Sequence, residues 1–405
     1  MTKEFRRYVC IHGHFYQPPR ENPWLEAIET QESAHPFHDW NERICYECYR
    51  PNAQAKIMGD HGRLKDIVNN YEYISFNFGP TLLSWLETYS PLTYQLILQA
   101  DSVSMSKRSG HGNALVQPYN HMIMPLANWR DKETQIIWAL KDFRSRFRRD
   151  PEGLWLPETA VDSETLEIMV DNGIKFTILA PSQAGRFRDS SNSNWVEINS
   201  HPIDPSRPYI FELPKGKQIA VFFYDGPISQ AIAFEGLLNS GDEFKNRLIS
   251  AFSADRKWHQ LVHIATDGES YGHHHRFGEM ALAYAIQLFL KDSSVELTNY
   301  GEFLEKCPPV AQVEILQNTA WSCAHGLGRW MSDCGCSTSH KEGWNQSWRG
   351  PLRHSLDSLR DQLDTIFEKN SARLFKHPWK ARNDYISVIL KNHENVQKFV
   401  EEHAG

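Results

Sequence analysis

The sequence predicts an α/β fold in which parallel strands wind into a barrel under helical cover. Three observations predict it. Short apolar strands alternate with helix-patterned segments along most of the chain. The alternating units are too many for a small open sheet. Polar residues stand directly after several strands, which is where sites form in parallel α/β folds.

The elements follow in order. "YVCIHGHF" opens as a short buried strand, and "YISFNFG" is a second, followed by the apolar run "TLLSWLETY". Residues 131–149 read as an amphipathic helix, with Ile136, Leu140, Phe143 and Phe147 at spacings of four, three and four; Pro151 ends it. "GLWLPE" is the next strand. "SETLEIMVDNG" is a helix with Gly173 as its stop, and "IKFTILAP" a strand after it. "QIAVFFYDG" and "QLVHIATDG" are two more strands, each ending in Asp-Gly. Residues 186–207, rich in Ser, Asn, Arg and Pro, read as a long loop. From Leu352 the pattern turns helical. Leu352, Leu356, Leu359, Leu363 and Ile366 mark one helix face, and more helix follows Pro378. The expected division is a barrel over residues 1–330 and a helical extension over 331–405 packing on it.

With 405 residues, 40% hydrophobic and 23% charged, the chain can bury a sizeable core. A net charge of −7 argues against a nucleic-acid partner. The basic run "FRSRFRRDP" suits a helix end. No run of about 18 apolar residues could span a bilayer. "MTKEFRRYVC" has no apolar signal core, and the seven cysteines are odd in number, which together favour a cytoplasmic protein with reduced thiols. The sequence carries no signal for an oligomeric state.

The polar residues at strand ends are His12, His14 and Gln17 in "HGHFYQPP", Trp155 and Glu158 in "WLPE", Asp225 in "YDGP", Asp267 and Glu269 in "ATDGESYGHHH", and Trp321 and His325 in "TAWSCAHGLGRW". Taken singly each has an ordinary reading. A strand-end Glu is often only exposed, Asp-Gly is a common turn, and His-x-His on one strand face also suits a hydrogen-bonded wall. Five segments ending alike point to a site. Glu158 and Asp267 each follow an apolar strand, where a partly dry setting can tune a carboxyl. Such a pair is what glycosidic cleavage needs, one group attacking the anomeric carbon and the other protonating the leaving oxygen. Trp155 and Trp321 would stack on sugar faces.

These segments resemble, in order, the five motifs of glycoside hydrolase family 57. "HGHFYQPP" is similar to the first and "SGHGNALVQPYNH" to the second. "WLPE" matches the third, "DGESYGH" the fourth and "TAWSCAHG" the fifth. The resemblance spans roughly residues 8–330. It implies an incomplete seven-stranded (β/α) barrel followed by C-terminal helices, and retaining double displacement on an α-linked glucan or oligosaccharide. It implies Glu158 as nucleophile and Asp267 as acid/base. His12, His14, Gln17, His111, Trp155, Asp225, His273 and Trp321 would line the sugar subsite. No cofactor or metal is implied. "HGHFYQPPRENPW" and the Cys-rich stretch after Trp321 look like a divergent subgroup, whose members often carry an extra C-terminal domain.

Two rivals stand beside this reading. One is a zinc-dependent α-mannosidase- or deacetylase-like hydrolase, with His12, His14, Asp267 and His273 as ligands. The other is a non-catalytic carbohydrate-binding relative. Cys45 and Cys48 have metal-knuckle spacing. Cys323-x-His325 and Cys334-x-Cys336 are irregular for structural zinc, so these thiols are expected to be reduced and partly buried.

Overall fold

The computed structural model describes residues 5–189, 194–336, 341–391 and 394–405. Among these, seven parallel strands form an incomplete (β/α) barrel: β1 (Arg7–Phe15), β2 (Ser75–Phe78), β3 (Ala114–Leu115), β4 (Gly153–Leu154), β5 (Phe176–Leu179), β6 (Gln218–Phe223) and β7 (Gln260–Asp267). β7 pairs with β1, β1 with β2, and β2 with β3. Val116 bridges β3 to Leu154 of β4, which pairs with β5, and β5 with β6.

The barrel stays open between β6 and β7 for a reason visible in the hydrogen bonding. The free edge of β6 is occupied by the antiparallel strand Tyr209–Glu212. That strand carries Ala311–Ile315, Ala184–Arg188 and Val196–Glu197 outward. A strand has two edges, so β6 cannot also build a ladder with β7. One backbone bond, Asp225 N–H to the His263 carbonyl at 2.8 Å, spans the gap. The stretch 186–207 is therefore partly strand rather than all loop, its edges recruited by this sheet. Residues 190–193 of it lie outside the described residues.

Side chains alternate across each strand. The inward set is Tyr8 and Cys10 of β1, Phe176 and Ile178 of β5, Ala220 and Phe222 of β6, and Leu261 and Ala265 of β7. Tyr300 and Phe303, from the helix Tyr300–Lys306, join this interior cluster. Each large apolar side chain buried in this way contributes roughly 1.5–3 kcal/mol. A larger cluster fills the layer between the outer strand faces and the helices. The alternation continues past the apolar rungs, and so the next inward positions, His12, His14, Tyr224 and Asp267, meet at the carboxyl end.

The amphipathic helix expected near 131–149 runs Trp129–Phe147, started by Asn128, whose side chain accepts from Asp131 N–H. "SETLEIMVD" is a helix capped by Asp162. Beyond the barrel, one long helix spans Arg349–Ser371, and the segment after Pro378 divides into Pro378–Asp384, Ile386–Ile389 and Val396–His403. Lys141 and Asp131 on the Trp129–Phe147 helix pair with Asp384 and Arg382 at 2.7 and 2.9 Å. The long helix meets the same barrel helix through Arg130 and Glu368 at 3.0 Å. Its Leu352–Ile366 stripe faces outward, each residue about half exposed. No described helix is long and apolar enough to cross a membrane.

Gly153 opens β4 because no side chain fits there: a Cβ would stand 2.2 Å from the fully buried Phe176 ring. Gly153→Ala is expected to cost about 1–3 kcal/mol through forced repacking. Urea denaturation should show the midpoint falling with an unchanged slope.

Candidate active site

The strand register assembles the floor of the site. His14 lies opposite Asp267 on one side and Asn77 on the other, and Asn77 lies opposite Leu115. Side-chain bonds then run across the strands. His12 Nδ1 meets Ser75 Oγ at 3.0 Å, and its Nε2 meets Asn77 Oδ1 at 3.1 Å. Asn77 Nδ2 bonds His14 Nδ1 at 2.8 Å and Gln117 Oε1 at 2.6 Å, and His14 Nε2 meets His121 Nε2 at 2.9 Å. Burial holds these imidazoles neutral near pH 7. It pushes His12 down to about 3 and His121 to about 4. Burial, with the neighbouring His121 and His12, takes His14 well below the usual imidazole range. With neutral rings and the Asn77 amide as placed, the bonds run in one direction: His12 to Asn77, Asn77 to His14, His14 to His121.

Trp155, fully buried, stacks on this pair, 4.9 Å from the His12 ring and 5.3 Å from His14. Its other neighbour is Trp321, edge-on at 5.2 Å; Tyr224 meets Trp321 edge-on at 6.1 Å. Tyr16 stacks on His121 at 3.6 Å.

Glu158 stands on a strained turn. Its φ is +58°, and the next residue, the β-branched Thr159, has φ +50°. Left-handed backbone at such residues costs on the order of 1–3 kcal/mol each and persists only where surroundings enforce it. The segment around Trp321 enforces it. The Trp321 backbone N–H reaches the Glu158 carbonyl at 3.0 Å and Thr159 Oγ1 at 3.1 Å. Gln183 Nε2 donates to the Thr159 carbonyl at 2.8 Å. The same segment orients the carboxylate: Trp321 Nε1 donates to Glu158 Oε2 at 3.0 Å, and Ser322 Oγ donates to the same oxygen.

Asp267 ends β7. It is reachable from the cleft yet walled by protein, and burial together with the negative Glu158 pushes its carboxyl up to about 6. Glu269 tucks beneath, accepting from Tyr49 Oη at 2.6 Å and Tyr16 N–H at 3.3 Å. Burial, with some help from Asp267, pushes it up to about 7 despite the Tyr49 hydroxyl. Three carboxyl groups thus share one end of the barrel, a pattern typical of acid–base sites.

Of the residues singled out in the sequence, His12, His14, Trp155, Glu158, Asp267 and Trp321 converge here. Gln17 lies at the margin, buried, accepting from Arg20 Nη2 at 2.6 Å. Three stand apart. His111 precedes β3, so it lies at the opposite, amino end of the barrel, paired with Glu152 at 2.7 Å and with Glu305. His121, the other histidine of "SGHGNALVQPYNH", is the one that follows the strand and reaches the floor. Asp225 caps the helix Gly226–Phe234, accepting from Ile228 N–H at 2.9 Å, and the charges bearing on it are Arg247, Arg256 and Asp204. Tyr224, one residue earlier, takes the inward position. His273 pairs with Glu47 and lines a separate hollow of about 730 Å³ with Arg43 and Arg276.

His12, His14, Asp267 and His273 therefore do not form a metal cluster among the described residues: the nitrogens of both floor histidines are taken by side chains, and His273 points elsewhere. Asn77, Gln117, His121, Tyr16, Tyr224, Tyr49 and Ser322 went unnoticed in the sequence. Strand alternation could have found Asn77 and Tyr224; nothing local marks Ser322.

A sequence model of glycosyl hydrolase family 57 matches residues 8–315, and one described as a domain of unknown function, DUF3536, matches residues 344–405. No curated protein sequence matches the chain. Among solved structures it is similar to a 4-α-glucanotransferase from Thermococcus litoralis (TM-score 0.57, 19% identity, 78% of this chain and 43% of that one). It is similar to an exo-type maltose-forming amylase from a Pyrococcus species (0.69, 15%, 98% and 69%). It is also similar to a branching enzyme from Pyrococcus horikoshii (0.57, 15%, 97% and 88%). At these identities the likeness is one of fold, and the chain spans less than half of the glucanotransferase. The family match covers well over half of the sequence and includes the Glu158 and Asp267 strands: the chain belongs to glycosyl hydrolase family 57.

Proposed function

We propose that this glycoside hydrolase acts on an α-linked glucan or oligosaccharide by double displacement with retention, passing the sugar to water or to another sugar. Glu158 is the nucleophile and Asp267 the general acid and base. The observation that carries this reading is the asymmetry of the carboxyl pair. Glu158 is oriented by two donors on Oε2, which leaves Oε1 without a partner among the described residues. Asp267 is held toward its protonated form by burial and by Glu158 itself. A fixed carboxylate beside a carboxyl that keeps its proton up to about pH 6 is the division of labour that retention needs. Attack by Glu158 on the anomeric carbon expels the leaving oxygen, which takes the Asp267 proton. Asp267 then removes a proton from the incoming hydroxyl, whose oxygen bonds to the anomeric carbon as the glycosyl–Glu158 ester bond breaks and returns the free carboxylate. His14, His121, Tyr16, Tyr224 and Trp321 offer the rings and polar edges that grip a pyranose. A cytoplasmic place of action belongs to the same reading, resting on the seven free cysteines.

Glu158→Gln is expected to lower kcat roughly 10³-fold or more. NMR of a panel of α-glucans digested by the wild type should show the α-anomer formed first; a β-anomer appearing first would contradict retention. Trp321→Phe keeps a ring but removes the indole donor to a charged acceptor, a bond of about 1.5–3 kcal/mol. It should lower kcat about 10–100-fold with a smaller change in KM.

The pH dependence has a defined sign. The acid form of Asp267 is the competent one, so kcat/KM should fall as pH rises through about 6. Removing the Glu158 charge removes one of the two causes of the shift. In Glu158→Gln the Asp267 titration, followed by carboxyl ¹³C NMR, should therefore move to lower pH.

A further inference from the structure

The segment after Trp321 gathers three thiols and an imidazole at one point. Cys323, His325, Cys334 and Cys336 each bring one donor atom, and the four atoms lie within 4.8 Å of one another. Cys323 Sγ is 3.9 Å from Cys334 Sγ and 3.7 Å from Cys336 Sγ, and Cys336 Sγ is 3.5 Å from His325 Nδ1.

These separations discriminate between chemistries. A disulfide needs about 2.05 Å between sulfurs, so none of these pairs is bonded. Thiols are weak donors and acceptors, and mutual S–H contacts give little reason for four such groups to converge. A tetrahedral ion with Zn–S near 2.3 Å and Zn–N near 2.05 Å spaces its sulfurs about 3.8 Å apart and sulfur from nitrogen about 3.6 Å. Three of the six separations agree with those values to about 0.1 Å, and the other three, none above 4.8 Å, would draw in by up to about 1 Å around an ion. A multi-iron cluster would spread its ligand sulfurs farther apart than a single ion does.

The backbone explains why the one-residue ligand spacings work. Gly335, between Cys334 and Cys336, has φ +80°, a left-handed turn that folds the two thiols to one side. Gly328 lies against the cluster so closely that a Cβ there would stand 2.8 Å from Cys334 Cβ. Cys323 is buried while His325 is exposed, so an ion can enter from solvent. The remaining cysteines take no part: Cys10, Cys45 and Cys48 are buried and Cys307 half-buried elsewhere.

We propose that Cys323, His325, Cys334 and Cys336 bind one Zn²⁺ in a closed, four-ligand site. Thiolate and imidazole donors select such a borderline-soft ion, and four protein ligands leave no open position for catalysis, so the role is structural. The site clamps the two ends of residues 323–336. At one end Ser322 and Trp321 hold Glu158 Oε2; at the other the Cys336 carbonyl accepts from the buried Gln346, near the start of the long C-terminal helix. The ion thus fixes the segment that aims Glu158. This last link rests on the Glu158 assignment above; the metal site does not.

The test uses the full chain purified under reducing conditions without chelator. Plasma mass spectrometry should find one zinc per chain, and an organomercurial titration should release it into a metallochromic dye as three thiols react. Replacement with Co²⁺ should give thiolate charge-transfer bands and the intense visible bands of tetrahedral coordination. Cys336→Ser and the double variant Cys334→Ser/Cys336→Ser should lose the bound zinc. Cys336→Ser should also lower kcat several-fold if Glu158 is the nucleophile. The site is overturned by zinc absent after reconstitution of the wild type, by zinc content unchanged in both variants, or by peptide mapping that finds a disulfide among these cysteines. Zinc present at one equivalent with kcat unaffected by its loss would uphold the site and reject only the link to Glu158.

Discussion

The hydrogen bonds between the segment around Trp321 and the turn at Glu158 are the constraint on which the site depends. Glu158 and Thr159 occupy backbone conformations that neither residue favours. Locally only Pro157 and the turn bonds from Thr159 N–H to the Leu156 carbonyl and from Ala160 N–H to the Pro157 carbonyl support them. The restraint comes from some 160 positions later in the chain, where one tryptophan supplies a backbone donor to the turn and an indole donor to the carboxylate. Strain of a few kcal/mol is a substantial share of the stability of an ordinary domain. It is retained because the same contacts that enforce it also set the direction of the carboxylate. Pro157, whose ring fixes the backbone just before Glu158, is one side of the frame around the carboxylate; the distant segment is the other.

The barrel beneath supplies a different kind of order. Period-two alternation, begun by apolar pairs such as Tyr8 and Cys10, brings polar groups to the same face once the apolar rungs run out. His12 and His14 follow on β1, and Asp267 follows Leu261, His263 and Ala265 on β7. The position of the site is thus set by where the apolar rungs end.

This is why much of the fold and part of the site were legible in the sequence. Strand and helix patterns are local, and Glu158 and Asp267 each directly follow an apolar strand. The failures were of two physical kinds. Which end of a two-residue strand a histidine occupies is not fixed by composition, and so the sequence points to His111 while the structure brings His121 to the floor of the cleft. Pairing between distant segments leaves no local periodicity. The strands Ala184–Arg188 and Tyr209–Glu212 that keep the barrel open, the Ser322 bond to Glu158 and the convergence of Cys323 with Cys334 and Cys336 all depend on chain tracing through space. Asp225 shows the converse. Its Asp-Gly context is the same as that of Asp267, yet one extra residue after the last inward position turns it into a helix cap.

The chain of bonds from His12 to His121 has a consequence for how the enzyme responds to its surroundings. Burial holds His12 and His121 down to about 3 and 4 and His14 well below the usual imidazole range, so the rings stay neutral where Asp267 and Glu269 titrate. The floor of the cleft is therefore electrically constant, while Asp267 and Glu269, with shifts to about 6 and 7, respond to acidity. Acidity therefore changes the charge at the rim of the cleft and leaves the charge of its floor as it is.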